Sequence, residues 1–278
     1  MALYRELIQQ RYGKPGLLAA LMKTIGARGV DLGQLNRNDL RTFEEYHLRG
    51  RRATVSLAEL VGGRPGLRVV DLGCGLGGPA RTLAEQCGWI VVGLDLSEAY
   101  LEAAAAFSTA VGLSAQTQFE LADAQHIPHA ADEFDLAWMQ HASMNIPDKA
   151  RLIREIRRVL RAGGAFAFYE IFSQPGAQLT YPLPWADDEQ LNFLISAAEF
   201  RRRLSSAGFH IVQWQDHTSD LITWGENRLV SRDAGLPNLP ELDLVIGDDY
   251  PLRSQNLYRA LCRQDLQVIQ AVFKLGGR

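Results

Sequence analysis

An apolar run ending on a carboxylate, LRVVDL, leads directly into glycines at positions 73, 75, 77 and 78. Chemistry at such a bend is ligand binding, because glycine lets the backbone take positive φ and come close to a bound group. Two spacings coexist here. Gly73, Gly75 and Gly78 fit G-x-G-x-x-G, a dinucleotide loop. Asp71, Gly73, Gly75 and Gly77 fit D-x-G-x-G-x-G, the loop that takes S-adenosylmethionine. Charge separates the two readings. A pyrophosphate on this turn would be repelled by Asp71, whereas a sulfonium and an α-ammonium are attracted by it. The expected ligand is the methyl donor, lined by Asp71, Gly73, Cys74 and Gly75.

Two further acids repeat the arrangement. Asp95 ends the run WIVVGLD, 17 residues beyond Gly78, and suits the two hydroxyls of a ribose. By itself it is equally a strand-end turn residue. Asp123, in LADAQHIP, suits the exocyclic amine of adenine. Three acids closing three consecutive strands are far more specific than any one of them.

On the acceptor side, His141 stands beside Gln140 at the end of a fourth strand-like run. A histidine titrating near neutrality suits removal of the acceptor's proton. The same side chain could instead bond backbone or hold the cofactor carboxylate. Met144 and Asn145, three and four residues on, are placed to share its face of the pocket. Tyr181 and Trp185 either close over the substrate, where aromatic faces attract a developing ammonium by roughly 0.5–2 kcal/mol, or fill a cap. Arg49, Arg51 and Arg52 either grip a substrate carboxylate or form a solvated helix face.

These residues must be positioned by alternating elements. Strand-like runs cover 67–72, 89–95, 117–122, 134–139 and 165–172, with helical stretches at 79–87, 98–111 and 149–161 between them. Gly163 and Gly164 are expected to stop the last helix. The pattern predicts an α/β fold, a Rossmann-like parallel sheet with helices on both faces. Residues 209–215 and 265–273 read as two more strands. Residues 1–62 read as an N-terminal helical lid, and 63–278 as the main domain. Cap insertions at about 173–200 and 225–260 should lie above the carboxyl ends of the strands, where open α/β sheets bind ligands.

Charge agrees with this placement. Net charge is −3. Residues 1–70 carry +6, 71–200 carry −10 and 201–278 carry +1. The glycine loop thus lies in acidic surroundings, which favours a cationic ligand and disfavours nucleic acid. Cys74, Cys87 and Cys262 lack the spacing of a disulfide framework or a zinc site, so a reducing, cytoplasmic setting is the simplest expectation. The apolar stretch LEAAAAFSTAVGLSA carries Glu102 and is too short to span a membrane.

The segments VVDLGCGLGGPARTLAE, VVGLDLS, LADAQHIP, MQHASMNIPDK, EIRRVLRAGGAFAFYEIF and YPLPWA together resemble class I S-adenosylmethionine-dependent methyltransferases. More narrowly, the chain is similar to the small-molecule group that includes sarcosine/dimethylglycine N-methyltransferases. The resemblance implies a seven-stranded sheet whose last strand inserts antiparallel. It implies Gly73, Gly75, Asp95, Leu96, Asp123, Ala124 and Gln140 as cofactor contacts. It also implies methyl transfer to a small molecule, first an amine or amino-acid nitrogen. A lipid, quinone or secondary metabolite accepting at carbon or oxygen is the alternative. A cofactor-binding partner protein without turnover is a third reading.

Overall fold

The computed structural model describes residues 2–233 and 240–277. Four helices come first: α1 (Ala2–Tyr12), α2 (Leu17–Ala27), the short α3 (Arg37–Leu40) and α4 (Arg51–Val61). The alternating core follows as β1 (Arg68–Leu72), α5 (Gly78–Cys87), β2 (Ile90–Asp95), α6 (Glu98–Ala110), β3 (Thr117–Leu121), β4 (Phe134–Gln140), α7 (Lys149–Val159) and β5 (Leu160–Ser173). The chain ends with α8 (Ala197–Ser206), β6 (Phe209–Asp216), α9 (Thr218–Asp233), α10 (Pro240–Val245), α11 (Tyr250–Cys262) and β7 (Leu266–Leu275). Residues 234–239 of the expected second cap lie outside the described residues.

The seven strands form one sheet in the order β3-β2-β1-β4-β5-β7-β6. All pairs from β3 to β5 are parallel; β7 inserts antiparallel between β5 and β6, as the resemblance implies. Strand periodicity explains the two cores, since neighbouring residues face opposite sides of a sheet. Val69, Val91, Leu136 and Trp138 face one layer with α4, α5 and α11. Val70, Val92, Ala137 and Met139 face the other with α7 and α8. A third apolar cluster joins α2 to α6 and α10 through Leu21, Ile25, Phe107 and Val245.

Helix α7 shows how sequence sets an element. Asp148 caps it by accepting the Arg151 N–H at 2.8 Å, Arg157 and Arg158 occupy its last turn, and Leu152, Ile153 and Ile156 bury its inner face. It does not run on to the glycines. It ends at Val159, because Leu160 already pairs with Phe134 as the first residue of β5. The register then jumps to Leu136 opposite Ala165, and Gly163, at φ 74°, lies in the irregular stretch between. Among the described residues no helix is long and apolar enough to cross a membrane.

Candidate active site

The glycine bend is pinned from below. The N–H groups of Gly73 and Cys74 both donate to the Leu94 carbonyl, at 2.8 and 3.1 Å, and Gly75 N–H donates to Asp95 Oδ2 at 2.9 Å. Gly75 needs its missing side chain twice over: φ is 53°, and a Cβ would meet the Tyr46 hydroxyl at 2.8 Å. The three expected acids stand together at the carboxyl ends of β1, β2 and β3. Asp71 and Asp123 are buried. Asp95 takes N–H groups on both oxygens, from Gly75 and, at 2.9 Å, from Ser97, and burial raises its pKa. Asp123 closes a local turn by accepting the Gln125 N–H at 2.8 Å. Cys74 is buried, and a side chain at Gly93 would lie 2.8 Å from its Sγ, so the thiol packs beneath the loop.

Three buried polar atoms of the bend and the end of β4 have no partner among the described residues: Asp71 Oδ2, Gln140 Nε2 and His141 Nε2. An unsatisfied buried polar group costs about 1–3 kcal/mol, so such a group in a native fold calls for a partner from elsewhere. Asp71 is pushed up to about 8, first by burial and then by Asp95 and Glu45. A cation beside it would restore its charge. Gln140 has committed its oxygen, which accepts Trp138 Nε1–H at 2.8 Å and lies 3.0 Å from the Thr54 hydroxyl; its amide N–H groups are left to donate. An ammonium and a carboxylate together answer this acceptor and this donor. The amino-acid part of S-adenosylmethionine carries both, so the residues present fit it.

His141 stands one residue beyond β4 at φ 48°, its N–H on the Tyr169 carbonyl at 2.9 Å. Its ring stacks on Tyr169, with centroids 5.0 Å apart, and meets His47 edge-on at 5.8 Å. Titration near neutrality is not what the fold provides. Burial, and then the neighbouring His47, hold its pKa well below the ordinary histidine value, so the ring is neutral at pH 7. Beneath it Glu170, fully buried, accepts Ala142 N–H at 2.9 Å and the Ser143 hydroxyl at 2.6 Å.

The other acceptor-side residues divide. Asn145 is saturated: Tyr12 donates to its oxygen at 2.8 Å, and its amide donates to the carbonyls of Trp185 and Leu191. Trp185 is buried in the same core as Met144 and donates to Asn192, whose amide in turn donates to the Tyr181 hydroxyl at 2.9 Å. These side chains tie the cap together. Arg51 is committed to Glu44 at 2.5 Å, Arg52 is exposed, and Arg49 turns toward His217 at 3.2 Å.

Sequence reasoning placed a helical lid at residues 1–62 but named none of the contacts by which its first helix ties in. Helix α1 reaches the cofactor side where Gln9 donates to the Leu96 carbonyl at 2.6 Å and Ser97 donates to the Tyr12 carbonyl at 2.9 Å. It reaches the cap through Arg11, which donates to Pro184 and Ile246 carbonyls at 2.6 Å. Such long-range pairs leave no local mark. It also missed Tyr169, whose hydroxyl is buried without a partner. There the signal was available: AFAFYEIF carries one hydroxyl and one acid in an otherwise apolar strand.

Comparison with known proteins agrees with this geometry. A family model described as "Methyltransferase domain" matches residues 70–168. Methyltransferase GfsG of Streptomyces halstedii is 40% identical over 122 residues, 44% of this chain; the chain therefore spans less than half of that relative's length, also 44%. Sarcosine/dimethylglycine N-methyltransferase of Halorhodospira halochloris is 30% identical over 196 residues, 70% of this chain and 69% of that protein. Among solved structures, geranyl diphosphate C-methyltransferase from Streptomyces coelicolor A3(2), in complex with S-adenosyl-L-homocysteine, superposes with a TM-score of 0.67. It covers 98% of this chain and 97% of its own at 17% identity, a likeness of fold. With a relative 30% identical and matched along two thirds of its length, the chain belongs to the class I S-adenosylmethionine-dependent methyltransferases.

Proposed function

We propose that this protein transfers the methyl group of S-adenosylmethionine to a small-molecule acceptor, with an amine or amino-acid nitrogen as the leading class. The observation that carries the reading is the set of unpartnered buried atoms on Asp71, Gln140 and His141. On the cysteine pattern alone we place it in the cytoplasm.

When bound, the cofactor supplies a methyl carbon already activated by its sulfonium. Asp71 and Gln140 would hold its amino-acid part, Asp95 the ribose, and Asp123 with Leu96 and Ala124 the adenine end. The chain's main task is alignment, since fixing the reacting groups in line is worth up to about 7–11 kcal/mol. Helix α1 bridges Leu96 to the cap beside this site. His141, neutral at physiological pH, can accept a proton at Nε2. Transfer to carbon or oxygen is the second reading, favoured by the aromatic rings of Tyr169 and His47 packed around His141.

The experiment is a screen of small amines, phenols and lipids with methyl-labelled donor. Label in an acceptor supports the assignment. Donor binding without transfer to any class supports a non-catalytic partner protein instead.

A further inference from the structure

Beside the carboxyl ends of β4 and β5, four rings meet one guanidinium. His141 stacks on Tyr169, His47 packs edge-on against both, and Tyr169 meets His217 at 6.1 Å. Arg49 Nη1 lies 3.2 Å from His217 Nδ1. The histidine's tautomer follows from its other contact. Gln270 donates its amide to the Ala53 carbonyl, so its oxygen accepts from His217 Nε2, at 2.9 Å. Nδ1 is then an acceptor, and it takes one N–H of Arg49, leaving the rest of a five-donor fork for another group.

Two independent features mark this corner. The Tyr169 hydroxyl and His141 Nε2 are buried without partners. Arg49 and His141 are also two of the four non-glycine residues with positive φ among the described residues, at 65° and 48°. Backbone strain of that kind persists where the fold holds a side chain in a required direction.

The carboxylates nearby are either spent on protein donors or exposed. Glu45 is spent on Thr54, Thr82 and His47, and Glu170 on Ala142 and Ser143. Asp220, 3.4 Å from His217 Nδ1, is largely solvent-exposed. With Asp71 given to the methyl donor, no other buried carboxylate among the described residues of this corner is left for a substrate ammonium, while a guanidinium stands at hand. We infer that Arg49 and the Tyr169 hydroxyl form the acceptor subsite and that the acceptor presents an acidic oxygen, as a phenol, enol or carboxylate. This rests on the methyltransferase reading; of its acceptor classes it keeps those with an acidic oxygen, an amino acid among them, and sets aside a simple amine.

The test uses the full chain saturated with S-adenosylhomocysteine and three probes on one ring: 4-nitrophenol, benzoate and benzylammonium. The first is followed by its phenolate absorbance and the others by calorimetry. One or both oxygen acids should bind and benzylammonium should not. 4-Nitrophenol bound as its anion marks a phenol or enol, and benzoate marks a carboxylate. Arg49→Gln should weaken the bound anion roughly tenfold or more, the loss of a charge-assisted hydrogen bond. Arg49→Lys should recover part of it, and S-adenosylhomocysteine affinity should stay within about twofold. Tyr169→Phe keeps the stack, and a several-fold loss of anion affinity is expected there too, which carries the test if Arg49→Gln does not fold. Benzylammonium binding as well as the anions, neither anion binding, or both variants leaving anion affinity intact overturns the proposal. Failure of the unaltered protein to take S-adenosylhomocysteine would instead remove the methyl-donor reading.

Discussion

The ring of His141 lies on the ring of Tyr169, centroids 5.0 Å apart and planes 21° from parallel, and burial there, with His47 beside it, keeps the imidazole uncharged. The expected pH–rate profile follows. A base with a pKa well below the ordinary value is already deprotonated at pH 6.5, so His141 should contribute no inflection between pH 6.5 and 8. His141→Ala should lower turnover about 10²- to 10⁴-fold and cofactor affinity much less. Normal turnover in that variant would remove its role in proton transfer.

Asp71 gives a second pH dependence, of opposite reach. Its carboxyl titrates at about 8 in the fold, against 3.8 for an ordinary aspartate. Between those values the folded chain holds a proton that the unfolded chain lacks. The stability contributed is complete below about 4 and is lost as pH rises toward 8. Glu170, raised to about 7 chiefly by burial, acts in the same direction. A cation bound at Asp71 reverses the preference, so affinity for S-adenosylmethionine should rise from pH 6 to 8. Titrations in two buffers of different ionisation enthalpy should show proton release, and Asp71→Asn should flatten the trend. A flat trend in the unaltered protein contradicts the assignment.

Asp95 should carry cofactor affinity in a way that turnover at saturation does not reveal. Replacing it with Ala removes a half-buried acceptor and also the tie to Gly75. The expected loss in S-adenosylhomocysteine binding is tenfold or more, about 1.4 kcal/mol. Calorimetry showing unchanged affinity would dismiss ribose binding by this residue.

Gly78 couples the bend to the lid. A methyl group there would lie 2.2 Å from the Glu44 carbonyl oxygen. Glu44 in turn is gripped by Arg81 at 3.0 Å and Arg37 at 2.9 Å, all three buried. Gly78→Ala should therefore destabilise the protein by about 1–3 kcal/mol and raise hydrogen exchange in residues 37–50 before the rest of the chain. Unaltered exchange there would show that the contact is not restrictive.

The acids at strand ends were readable because each interrupts or closes a short apolar run, and the alternation of those runs with helical stretches also gave the sheet. The stop of α7 was misplaced for a physical reason. Glycines announce a break, but only pairing with Phe134 moves Leu160 into the strand. The titration of His141 was misjudged because burial is a property of the assembled layers. Asn145 was placed near the substrate by spacing, and Trp185 either over the substrate or in the cap; the polar atoms of both turn to partners in α1 and the cap. Neither Glu44 with Arg81 nor Arg49 with His217 was legible, since those partners stand 37 and 168 residues apart.

The central claim is that the glycine bend beside Asp71 selects a cationic sulfur nucleoside over a diphosphate. It is tested most directly by titrating the purified protein with S-adenosylmethionine in competition with NAD. Saturable binding of S-adenosylmethionine that NAD does not displace, and that Asp71→Asn weakens tenfold or more, is the predicted result. Displacement by NAD, or no binding of S-adenosylmethionine at all, would contradict it.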